Sequence, residues 1–100
     1  VGFKSHTKQE AINAKDGNIH MFTVSSWSGN LTVNNPIAGE IITVIFKNTN
    51  ATTGFAVPLG NFAKSENVPI IANGGVSVIQ LVCTGSNQGS IYPASVKQYS

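Results

Sequence analysis

The sequence predicts an all-β domain of the sandwich or barrel class. Short apolar runs rich in β-branched residues recur along the chain with the period of two that is typical of strands. Clusters of Asn, Gly, Pro and Ser separate these runs at roughly the 8 to 12 residue spacing of such folds. The hydrophobic fraction of 41% is too high for a disordered chain. One hundred residues accommodate one domain with a thin core.

The run "EIITVIFK" at residues 40–47 is the strongest predicted strand. Its β-branched residues continue without a polar interruption, so both faces of this strand need to be covered. The run "NIHMFTV" at 18–24 also carries apolar side chains on both faces. Pro58 and Pro69 place their segments at strand ends, edges or bulges, because proline has no N–H for a ladder. Further strands are predicted at 31–33, 55–59, 68–71, 77–83 and 94–99.

The amino-terminal part of the chain contains the one helical candidate. The segment "KQEAINAKDGN" at 8–18 has a few helix formers, and Gly17 is a plausible stop. It is short enough that an extended conformation is an equal alternative. We therefore divide the chain into a leading segment at 1–17, which is either a short helix or extended, and a β domain at 18–100.

The charged fraction is 10%, against about 25% in an average soluble domain. The polar surface must therefore consist of Asn, Ser, Thr and Gly, and low charge removes repulsion between copies of the same chain. The six basic residues are all lysines and are spread along the chain. Without arginine or a basic cluster, nucleic acid is not an expected partner. No apolar stretch approaches the length of about 18 residues that predicts membrane insertion.

The sequence lacks the patterns of the common catalytic and metal sites. Cys83 is the only cysteine and lies in an apolar run, which predicts a buried, inert thiol. His6, His20 and the four acidic residues show none of the spacings of zinc ligands. No nucleophile elbow and no phosphate-binding loop are present. We expect no enzyme activity, no metal and no cofactor in this segment.

Trp27, in the turn-like stretch "SSWSGN", has two interpretations. An exposed indole between small polar residues can stack on a sugar ring, whereas a buried one fills the end of a core. Tyr92 has the same two interpretations.

Four stretches suggest a family. They are the strand "IAGEIITVIFKN", the polar tract "TNATTGFAV", the segment "GGVSVIQLVCTG" and the terminal "KQYS". Together they make residues 18 to 100 resemble the small β domain that follows the β-helix in the pre-neck appendage (tailspike) proteins of Bacillus-infecting podophages.

The resemblance implies an antiparallel jelly-roll sandwich, similar to the tumour necrosis factor fold, that assembles as a homotrimer. Such appendages belong to the virion and attach it to the Gram-positive cell wall, where an upstream β-helix degrades teichoic acid. A carboxyl-terminal chaperone segment is removed by autocleavage, so Ser100 is the expected mature end. The hydrolase and autocleavage residues lie on segments that this sequence does not contain, so no catalytic residue is carried over.

The expected function is therefore a trimeric structural and host-attachment module of a bacteriophage tail appendage. A trimer would also cover the second apolar face of the strand at 40–47. The uncharged tract "KNTNATTG" would form a loop at one end of the sandwich, and Asn50 and Thr52 would contact cell-wall polysaccharide or teichoic acid. The alternative is a monomeric carbohydrate-binding module that uses Trp27 and Tyr92.

Overall fold

A computed structural model of the chain describes residues 2–63 and 69–99. Within these ranges the fold is all-β, with no α-helix, which confirms the predicted class. The strands are β1 (Phe3–His6), β2 (Ile12–Asn13), β3 (Ile19–Val24), β4 (Val33–Asn34), β5 (Ile41–Asn48), β6 (Phe55–Ala56), β7 (Ile70–Ile71), β8 (Val76–Cys83) and β9 (Ile91–Tyr99). Two single 3-10 turns lie at Ala14–Asp16 and Gln88–Ser90.

Five strands form the main sheet, in the order β1-β3-β5-β8-β9. β1, β3 and β5 pair in parallel, whereas β5, β8 and β9 pair in antiparallel fashion. The expectation of an antiparallel sheet is therefore wrong for the first three strands. The physical reason is that the connections at 7–18 and 25–40 are long enough to carry the chain back to the end of the sheet at which the preceding strand began, so the next strand runs in the same direction.

The remaining strands form two small sheets. β2 and β4 come from the first and second crossover and pair in parallel, with Ile12 opposite Val33. β6 and β7 pair in antiparallel fashion. In the first half of the fold, β1 with β2 and β3 with β4 therefore form two successive coils that lie side by side, because β1 pairs with β3 and β2 pairs with β4.

The connections between the main strands pack against one face of the main sheet, which we call the inner face. They form a second layer, and the core lies between the two layers. The sheet contributes Phe22, Val24, Ile42, Val44, Phe46, Ile79, Leu81, Cys83 and Ile91. The second layer contributes Ile12, Ala14, Trp27, Leu31, Val33, Phe55, Val57, Leu59, Phe62 and Ile71. The architecture is consistent with a β-sandwich.

The leading residues pack with the β domain. β1 is an edge strand of the main sheet, and Ile12 and Ala14 are buried in the core. Of the two alternatives for 8–18, the structure contains no α-helix there, only β2 and one 3-10 turn. The side chain of Asn13 caps this turn by accepting from the amide of Lys15, and Gly17 ends it at a φ of 132°.

Candidate functional site

The second face of the main sheet, which we call the outward face, carries a group of apolar side chains that reach the surface. Side chains alternate along a strand, so β5 turns Ile42 and Val44 to the core and Ile41 and Ile45 to the other side. No described residue forms a layer over this side. Its apolar members are Phe3, Ile19, Met21, Ile41, Ile45, Val76, Val78, Val82, Tyr92 and Tyr99, which are half-buried or exposed.

Strand register places the apolar residues of the outward face in rows across the sheet. Met21 of β3 lies beside Ile45 of β5, and Ile45 lies opposite Val78 of β8. Lys47 and Lys97 also point to this side, towards the end of β5 and along the edge strand β9. Thr43 and Gln80 form a polar pair beside this apolar row, and the two lysines lie nearer the margin of the face.

Trp27 belongs to the core. It is 9% exposed, and its ring stands edge-on to Phe22 and Phe46 at centroid distances of 5.1 and 5.2 Å. The indole N–H donates to the carbonyl of Gly29 at 3.2 Å, so its polar group is satisfied internally. These contacts favour the core interpretation over the stacking platform.

Trp27 nevertheless forms part of the wall of an open cleft of about 420 Å³. The other lining residues are Gln9, Glu10, Ala11, Asn30 and Thr32. The polar atoms of the Gln9 side chain already make hydrogen bonds within the chain: its nitrogen donates to the carbonyl of Ser28, and its oxygen accepts from the backbone amide of Ser28.

The structure does not bring the four predicted ligand-contact residues together. Trp27 lies on the inner side of the main sheet, whereas Tyr92, opposite Val82, lies on the outward face and is 45% exposed. Asn50 and Thr52 lie in the loop after β5, at the end of that strand away from Tyr92. Ser100, the predicted processing site, is outside the described residues.

Asn50 organises its own loop. Its side-chain oxygen accepts from the backbone amide and hydroxyl of Thr52, both at 2.9 Å, and from the amide of Thr53 at 3.2 Å. The oxygen of Asn50 is thus occupied, while Thr52 stays exposed. The two residues have a clear role in shaping the loop.

Asn48 is a structural residue that the sequence analysis missed. It is 2% exposed and occupies the fourth inner position of β5, after Ile42, Val44 and Phe46. Its amide donates to the carbonyls of Thr53 at 2.9 Å and Ala72 at 3.2 Å, and its oxygen accepts from Asn50. The sequence contains a signal for this role, because Asn48 continues the inward alternation of the strand and a buried polar side chain needs hydrogen-bond partners.

Two buried histidines form the second feature that the sequence did not reveal. His6 and His20 are 4% and 0% exposed, and Nε2 of His6 lies 3.0 Å from Nδ1 of His20. Nε2 of His20 donates to the carbonyl of Gly17 at 2.9 Å, and Nδ1 of His6 bonds to the carboxylate of Glu10. Burial lowers the pKa of His20, and the bond from His6 lowers the pKa of Glu10.

Reactive chemistry is sparse in the part of the chain that the structure describes. Cys83 is buried, and burial raises the pKa of its thiol, which keeps it protonated. Within residues 2–63 and 69–99, no group of three or more His, Cys, Asp or Glu side chains is arranged to hold a metal ion. No helix in the same ranges has the length and apolar character of a membrane span.

Comparison with known proteins identifies no relative. No protein-family model, no curated protein and no solved structure matches the chain.

Proposed function

We propose that the chain is a structural and host-attachment module that assembles as a homotrimer through its outward face. The observation that carries this proposal is the apolar outward face, with Met21, Ile45 and Val78 adjacent at its centre. A sheet buried on one side only normally carries mainly polar residues on the other side. The outward face has the polar pair Thr43 and Gln80, but an apolar row of Met21, Ile45 and Val78 lies beside that pair, and this row favours an apolar surface as its partner.

The proposed occupant of the outward face is a second copy of the same chain. Strand spacing and rise give the whole face, polar residues included, dimensions of roughly 20 by 25 Å, on the order of 500 Å². The largest apolar patch of a typical monomer covers roughly 300 to 600 Å² and is often functional. The low charged fraction of 10% favours contact between copies, because identical chains then bring few like charges together. Association would also supplement the thin core of a 100-residue chain.

The attachment role and the virion location rest mainly on the resemblance of the strand segments to phage tail appendages. The uncharged loop that contains Asn50 and Thr52 projects from one end of the sheet, where recognition is commonly located. The proposed ligand is cell-wall polysaccharide or teichoic acid, and catalysis is not proposed for this segment.

The alternative, a monomeric carbohydrate-binding module, is less well supported. A single sugar site that uses both Trp27 and Tyr92 would need them on one surface, and they lie on opposite sides of the main sheet. A monomer would also leave Ile45 and its neighbours in water.

The test is co-sedimentation of the purified chain with Gram-positive cell walls, with and without their teichoic acid. The Ile45→Lys variant, which we expect not to assemble, serves as the comparison protein. We expect the parent chain to sediment with intact walls, and the variant to do so much more weakly, because a trimer presents three attachment loops at once. Equal binding by both proteins would contradict a role for assembly, and no binding by either would contradict attachment.

A further inference from the structure

The hydrogen bonds around His6 and His20 fix the number of protons that they hold. A carbonyl oxygen only accepts, so Nε2 of His20 carries a hydrogen and donates to Gly17. Nδ1 of a neutral His20 is then an acceptor, and Nε2 of His6 must donate to it. Nδ1 of His6 meets the carboxylate of Glu10, which also accepts. His6 therefore carries hydrogens on both nitrogens and is an imidazolium.

The surroundings of His6 suit a buried cation. Glu10 supplies the counter-charge, and its side chain is 39% exposed whereas that of His6 is 3% exposed. The ring of His6 lies on the face of Phe22, with centroids 4.2 Å apart and planes 11° from parallel. An aromatic face attracts a cation, so Phe22 stabilises the imidazolium on the side away from solvent.

The geometry points to a proton-operated clasp in which Glu10, His6, His20 and the carbonyl of Gly17 hold the edge strand β1 and the first crossover to β3. All hydrogen bonds of the clasp form when the two histidine rings together carry three N–H hydrogens, which is one more than two neutral rings carry. β1 lies at the edge of the sheet and pairs with β3, so the clasp supplements a ladder of only four residue pairs. It joins β1, β3 and the turn that ends at Gly17.

The clasp opens when a proton is removed. A neutral His6 has one N–H for two acceptors, Glu10 and Nδ1 of His20, so one of the two bonds is lost. A change of tautomer at His20 would restore that bond only by breaking the bond to Gly17. Lys4 and Lys8 also face Glu10 and favour its ionised form, so Glu10 does not supply the missing hydrogen.

The clasp also opens when a proton is added. A protonated His20 would direct an N–H at the N–H of His6 and lose that bond. Burial is the main cause that lowers the pKa of His20 and the charge of His6 adds to it, whereas the bond to Gly17 and the charges of Asp16 and Glu40 oppose it. The unfolded chain therefore takes up this proton first, near the ordinary pKa of 6.5, and stability is lost as the pH falls below that value.

The Glu10→Gln variant tests the clasp. The substituted amide offers an N–H to Nδ1 of a neutral His6, so every member of the chain keeps its partner without the extra proton. In the parent chain we expect amide exchange protection in β1 to fall about tenfold once His6 is deprotonated, as loss of one charge-assisted hydrogen bond implies. In the variant this alkaline loss should disappear. Asp16→Asn is the matched control, since it removes a nearby carboxylate that is outside the clasp, and it should keep the alkaline loss.

Histidine ring ¹⁵N spectra of the parent chain give an independent readout. In the pH range in which β1 is fully protected, we expect a doubly protonated His6 and a neutral His20 with its hydrogen on Nε2. A neutral His6 while β1 is fully protected, or a His20 hydrogen on Nδ1, would overturn the proposal. An alkaline loss of protection that is equal in the parent and Glu10→Gln chains would overturn it as well.

Discussion

Ile45 of β5 and Val78 of β8 lie directly opposite each other on the outward face of the main sheet. They form the centre of a row that Met21 extends onto β3. Cross-strand apolar pairs of this kind stabilise a sheet most when a second layer covers them. The contrast between a sealed inner face and an apolar outward face is the structural basis of the proposed assembly.

The first prediction concerns Ile45→Lys. A charge at the centre of the outward face should prevent assembly and leave the monomer folded, because the side chain is only half-buried within one copy. Sedimentation velocity and circular dichroism at micromolar concentration measure the two properties. Ile70→Lys is the matched control, since Ile70 is 62% exposed on β7 in the second layer. If both variants assemble as the parent chain does, the outward face is not the interface.

The second prediction concerns the inner face. Ile42→Asp and Val44→Asp each place an unpaired carboxylate at a position that is 0% exposed. Burial of such a group costs several kcal/mol, so we expect both variants to lose the fold rather than assembly alone. Urea denaturation followed by far-UV circular dichroism measures the free energy of unfolding. A folded, soluble Val44→Asp chain would contradict the core described above.

Trp27→Ala is the third prediction. Truncation of a buried Trp that packs on Phe22 and Phe46 should cost about 3 to 5 kcal/mol of unfolding free energy. Tyr92→Ala is the control, because Tyr92 is 45% exposed and its loss should change the stability of one copy far less. Chemical denaturation of both variants under conditions that keep the chain monomeric makes the comparison. Equal, small effects would show that Trp27 is not a core residue.

The fourth prediction separates two asparagines in one loop region. Asn48→Ala removes a side chain that is 2% exposed and leaves the carbonyls of Thr53 and Ala72 without their donor, and this should cost about 1 to 3 kcal/mol. Asn50→Ala removes an acceptor in an exposed loop and should cost about 0.5 to 1 kcal/mol. Thermal and urea denaturation measure both changes. A larger loss for Asn50→Ala than for Asn48→Ala would reverse the assigned roles.

The long strands β3, β5 and β8 could be predicted from the sequence because period-two alternation is a local property, whereas β1 and β2 lie in the segment 1–17, for which no strand was predicted. The runs at 18–24, 40–47 and 77–83 correspond to β3, β5 and β8 with ends shifted by about one residue. Pro58 follows β6 and Pro69 precedes β7, as the missing proline N–H requires.

The pairing could not be predicted, because apolar β-branched strands fit parallel and antiparallel ladders alike. The parallel arrangement depends on crossovers that pack Ile12 and Leu31 into the core, which is a tertiary effect. The contact between His6 and His20 follows from that pairing, since it needs β1 beside β3 in one register. The position of Trp27 was ambiguous for the same reason, as its neighbours Phe22 and Phe46 come from two different strands.

The molar mass of the purified chain in solution tests the central claim most directly. Light scattering coupled to size-exclusion chromatography at micromolar concentration should give three times the chain mass of 10.5 kDa. The Ile45→Lys variant should elute at the mass of one chain. A parent chain that stays at 10.5 kDa across the micromolar range would contradict the proposal that copies of this chain cover its outward face.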